Sequence, residues 1–142
     1  MRIDYCSDLH LDNAMSGGPH GWLGSIDISE WKSDGEVLVV AGETAEHIDD
    51  TIDFLNSARK HYGAVIATLG NHEVGTPSRN LRDGVHLLDW HDSNQFVIGN
   101  VAFVGGCLPP GHMSTSKDSV RSLLSSAINS VGVETVVGVS HY

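Results

Sequence analysis

Cysteine is nearly absent from this chain: Cys6 and Cys107 are far apart, and each lies in an apolar stretch. That excludes a disulfide scaffold and a cysteine-rich zinc site, and it leaves two free thiols packed as small hydrophobes. Positive charge is scarce too. Eight lysines and arginines face 18 acidic residues, for a formal net charge of -10. Phosphate backbones are held by clusters of Lys and Arg, so long nucleic acid is not an expected partner. No apolar run is longer than Val37–Ala41, which is far too short to cross a membrane. Asp4 interrupts any apolar segment at the start. No signal peptide is visible, and a soluble cytoplasmic protein is expected.

What is present suits one α/β domain spanning residues 1–142, with 40% hydrophobic residues and 16 glycines for tight turns. Residues 2–6 alternate as a short strand does. Residues 36–41, apolar from Val37 on, and 64–69, apolar but for Thr68, lie beside glycine, which predicts strands buried on both faces and therefore parallel. Between them Ile48, Ile52, Leu55, Ala58 and Tyr62 recur every three or four residues and predict an amphipathic helix over 46–62. Asp49, Asp50 and Asp53 suit its start, and Gly63 its end. Strand, helix and strand with short links make a parallel crossover.

Further along, 79–82 fits one helical turn and 85–88 a short strand. Residues 95–98 and 101–104 flank Gly99-Asn100, a two-residue hairpin link. Val120, Leu123, Leu124, Ala127, Ile128 and Val131 predict a second helix, with Ser114, Thr115 or Ser116 as its cap. A last strand over 135–139 delivers Ser140 and His141.

Chemistry collects where these strands end. Asp8 and His10, two apart, would share a face in extended backbone, and a carboxylate with an imidazole is half of a metal site. The second strand ends in Gly42-Glu43 and the third in Gly70-Asn71-His72-Glu73. Ligands of parallel sheets gather outside the carboxyl ends of the strands, so these groups are expected to meet. The loops 13–24, with His20 and Trp22, and 109–116, with His112, are placed to rim that region. Trp22 and Trp31 either bracket a substrate or cap a core. His47, His61, His86 and His91 are expected at the surface or at helix ends.

Asp8-Leu9-His10 and Gly70-Asn71-His72-Glu73, with Gly42-Glu43 between them and His141 after the last strand, resemble the blocks of the calcineurin-like metallophosphoesterase family. The resemblance implies an α/β fold built as a β-sandwich flanked by helices. It also implies two divalent metal ions, manganese foremost, with iron, zinc, nickel or magnesium as alternatives. Asp8 and His10 would hold the first ion, Asn71 and His141 the second, and Glu43 would lie between them. A metal-bridging hydroxide would attack phosphorus, His72 would protonate the leaving oxygen as general acid, and Glu73 or Asp12 would orient the imidazoles.

The implied substrate is a small phosphomonoester or phosphodiester. The alternative is a member that binds metal or a phosphorylated ligand without turning it over. Two departures from the family pattern stand out. Glu43 replaces the family's aspartate, and no Gly-His-x-His follows His141. A second sheet truncated in this way would expose a pairing edge, so a homo-oligomer or a covering partner chain is expected.

Overall fold

The two apolar runs become the central strands of a four-stranded parallel sheet. β1 (Ile3–Cys6), β2 (Val37–Ala41), β3 (Ala64–Thr68) and β4 (Val85–Leu87) lie side by side in that order. The computed structural model describes residues 1–11, 28–31, 34–73, 77–88, 95–107, 121–122 and 124–141. Every residue of β3 is buried, as are the first four of β2, because both faces of this sheet are covered. On one face Leu38, Val40, Val65 and Ala67 pack against Phe54, Leu55, Ala58 and Tyr62. The last four belong to α1 (Ile48–Ala58) and the turn that follows it. The helix is shorter than 46–62 because the chain leaves it at Arg59, yet Tyr62 still folds back into the core.

On the other face Val37, Val39, Ala64 and Ile66 meet Val101, Phe103 and Val139 of a second sheet. That sheet comprises β5 (Gln95–Ile98), β6 (Val101–Cys107) and β7 (Thr135–His141), in that order. β5 and β6 form the expected hairpin, with Gly99 at φ 59 in the link. β7 runs parallel to β6 and continues to His141, two residues beyond the predicted strand. Ala102 and Val104, on the outer face of β6, are covered by Ala127 and Leu124 from a helical segment within 121–128. The molecule is thus a mixed α/β structure with two sheets packed face to face and helices outside them. Among the described residues, no helix is long and apolar enough to cross a membrane.

The predicted turn of helix over 79–82 does not form. Side chains of α1 satisfy this backbone instead: the Asp49 carboxylate accepts the Ser78 and Arg79 amides, and Asn56 accepts that of Arg82. Trp31 caps the first core, its ring tilted against Phe54 at 6.4 Å between centroids. Cys6 packs into the same core, where burial pushes its thiol up to about 11 and keeps it protonated. Asp12, His20, Trp22, His91 and His112, with the loops 13–24 and 109–116, lie outside the described residues.

His86, expected at the surface or a helix end, is half-buried. It lies on β4, its ring stacked on Phe96 of the second sheet at 3.3 Å between centroids and 21° between planes. Burial lowers its pKa; the Arg59 charge adds to this and the Asp83 charge opposes it. The folded chain therefore binds fewer protons here than the unfolded chain just below about pH 6.5, so stability rises with pH through that range. The melting temperature is expected to fall on acidification from neutrality into this window. In His86→Gln that fall should be shallower, as read by thermal unfolding across a buffer series.

Candidate functional site

The ends of β1, β2 and β3 are laced together by backbone hydrogen bonds. The amides of Asp8, His10 and Leu11 donate to the carbonyls of Gly42, Glu43 and Thr44 at 3.1, 3.0 and 2.9 Å. The lacing takes place in left-handed backbone: φ is 55 at Asp8, 45 at His10 and 49 at Glu43. Asp8 and His10 therefore reach one place through two strained residues, not through the extended chain that their spacing suggested. Such conformations cost about 1–3 kcal/mol each in non-glycine residues and cluster where function requires them.

Glu43 stands at the centre. Its Oε2 lies 3.1 Å from His10 Nε2, and its Oε1 lies 3.4 Å from His141 Nε2 and 3.6 Å from His72 Nε2. The Glu43 side chain is largely buried, whereas that of His72 is 57% exposed. The His10 and His72 rings meet edge to face at 6.1 Å. Asp8, Glu43 and His141 each offer one donor atom, all within 4.8 Å of one another. A hydrogen bond from Ser7 is the largest influence lowering the Asp8 pKa, helped by the charges of His141 and His10, so this carboxyl is ionised at neutral pH.

His141 comes from the other sheet. Its Nδ1 lies 3.1 Å from the carbonyl oxygen of Ala41. A carbonyl only accepts, so Nδ1 carries the hydrogen and Nε2 is the atom turned toward Glu43. Gly42, at φ 74, makes room for this ring: a Cβ there would overlap the imidazole.

Of the residues singled out from sequence, the structure brings together Asp8, His10, Glu43, His72 and His141. Asn71 sits in the bend after β3, and its exposed side chain joins none of these contacts. Glu73 has a different role from the expected imidazole acceptor. Its carboxylate accepts the amides of Gly70 and Thr44, both at 2.7 Å, and that of Glu43 at 3.3 Å. The sequence did carry a signal for part of this. A glutamate three residues after a chain turn can reach back to the amide at the start of that turn, as it does in a helix capping box.

No protein-family model matches the chain, and no curated protein matches it. Among solved structures, the chain is similar to the crystal structure of phosphopantetheinyl hydrolase (PptH) from Mycobacterium tuberculosis. The TM-score is 0.52, with 17% identity over 99% of this chain and 68% of that one. A likeness at this identity concerns the fold. The identification as a calcineurin-like metallophosphoesterase is thereby corrected, because no family model carries it and the structural likeness is to a phosphopantetheinyl hydrolase. The physical reason lies in the motifs. Asp-x-His and Gly-Asn-His-Glu are short, and what they encode is donor groups at strand ends, which is a chemistry and not a lineage.

Proposed function

We propose that this chain is a metal-dependent phosphoester hydrolase acting on a small phosphomonoester or phosphodiester. The observation that carries the reading is Glu43, whose two oxygens face different imidazoles, His10 on one side and His72 with His141 on the other. With Nδ1 of His141 committed to Ala41, its neutral ring would turn a lone pair on Nε2 toward a carboxylate oxygen. Two acceptors held that close call for a proton or a cation between them. A set of oxygen and nitrogen donors suits first-row divalent ions.

Asp8, His10, Glu43 and His141 would hold such ions. Divalent cations bound here supply Lewis-acid polarisation of a phosphoryl oxygen and make water more acidic. The chain's own residues do the rest. Glu43 and Asp8 supply the negative charge that keeps cations in place. His72, the most exposed imidazole of the three around Glu43, holds a proton at Nε2 for the leaving oxygen. The neighbour of similar fold is a hydrolase by name, which agrees with this reading.

The test uses metal-free protein, added Mn2+, and aryl phosphate mono- and diesters. Hydrolysis should appear with the metal. In His72→Ala it should fall by about 10²–10⁴-fold, as expected for loss of a general acid, while Mn2+ binding by calorimetry persists. Mn2+ binding without turnover of either ester would replace the enzyme with a binding protein. Absence of Mn2+ binding would remove the metal from the account.

A further inference from the structure

Among the described residues, the Glu73 carboxylate is hydrogen-bonded to backbone amides. Its Oε2 accepts from Gly70 at the end of β3 and from Glu43 beyond β2, and its Oε1 accepts from Thr44. One side chain therefore ties two strand ends together. The packing beneath it is close: a Cβ on Gly70 would stand 2.5 Å from the Glu43 nitrogen and 2.8 Å from Glu43 Cγ. Glu43 is held here at φ 49, a conformation that persists only where the surroundings over-determine it. Hydrogen bonds to an ionised acceptor are roughly twice as strong as neutral ones, and three of them converge on this turn.

We infer that Glu73 is a positioning residue. Its carboxylate fixes the left-handed turn that aims the two Glu43 oxygens at His10 and at His72 with His141, and so sets the affinity of the site for a divalent cation. The second half of this inference rests on the metal reading above. The first half does not, because the clamp consists of the chain's own hydrogen bonds.

The test compares Glu73→Gln and Glu73→Asp with the parent protein. A control variant, Asp49→Asn, loosens a carboxylate clamp that holds residues 78 and 79 to α1 and not the strand ends. Gln keeps the size and loses the charge; Asp keeps the charge but is one methylene too short to span both ends. Amide hydrogen exchange of Glu43, Thr44 and Gly70 is read in metal-free protein, and Mn2+ affinity by calorimetry well below the melting temperature. Exchange at these three amides should quicken in both Glu73 variants. Mn2+ affinity should fall by about 10–100-fold, the range typical of residues that orient ligands. Asp49→Asn should lower the melting temperature with Mn2+ affinity unchanged, which a merely structural role for Glu73 would mimic. Unchanged amide protection, or unchanged Mn2+ affinity, in the Glu73 variants overturns the inference. A parent protein that binds no Mn2+ overturns the metal reading, and amide exchange then decides whether Glu73 fixes the turn.

Discussion

Glu43→Gln is expected to abolish divalent-cation binding and phosphoester turnover while the fold persists. Glutamine has the same shape, so the close packing against Gly70 is kept. It carries no charge, and one of its two terminal atoms becomes a donor. Three imidazole nitrogens between 3.1 and 3.6 Å away would then face an amide in place of a carboxylate. Asp8 alone would remain as an anion in the cluster of Asp8, Glu43 and His141. The loss of Mn2+ affinity should exceed the roughly 10–100-fold typical of residues that only orient ligands. Calorimetry reads the affinity, and circular dichroism with thermal unfolding reads the fold. Mn2+ binding equal to that of the parent would show that the cation lies elsewhere.

Gly42→Ala is expected to be among the most damaging single changes in the chain, for two separable reasons. At φ 74 the new side chain adopts left-handed backbone, which costs about 1–2 kcal/mol. Its Cβ also overlaps the His141 ring, and overpacking of this kind typically costs about 1–3 kcal/mol. Together that is a large share of the roughly 5–15 kcal/mol that holds a domain folded, and a fall in melting temperature on the order of 10 °C should follow. Gly99→Ala isolates the first effect, because Gly99 is also left-handed at φ 59 but nothing lies within 4 Å of its would-be Cβ. The difference between the two variants measures the contact with His141. Equal losses would mean that the ring moves aside without cost.

The parts of this fold that could be read from sequence are those whose burial is uniform. β2 and β3 are covered on both faces, so their residues are apolar but for Thr68 at the end of β3, and α1 shows one buried stripe. The hairpin announced itself through Gly99-Asn100. The site could be read as a list of residues because polar side chains at the ends of apolar strands have no packing reason to be there. Its geometry could not. The left-handed turns at Asp8, His10 and Glu43, and the reach of Glu73 across two strand ends, depend on segments thirty residues apart in the chain. His86 misled because its stacking partner, Phe96, belongs to a different sheet. The family identification overreached in the same way: motifs report which donors are present, while kinship is a property of the whole chain.

One arrangement has a wider consequence. His10, Glu43 and His72 follow strands of the first sheet, whereas His141 closes the second, and its Nδ1 is bonded to the last residue of β2. The donors therefore come from two separate sheets, whose described contacts include the apolar packing between them and this bond from His141 to Ala41. Neither layer assembles the cluster by itself, so the full set of donors is together only while the sheets stay docked. A cation held there, as proposed, would also work as a cross-link between the halves of the molecule.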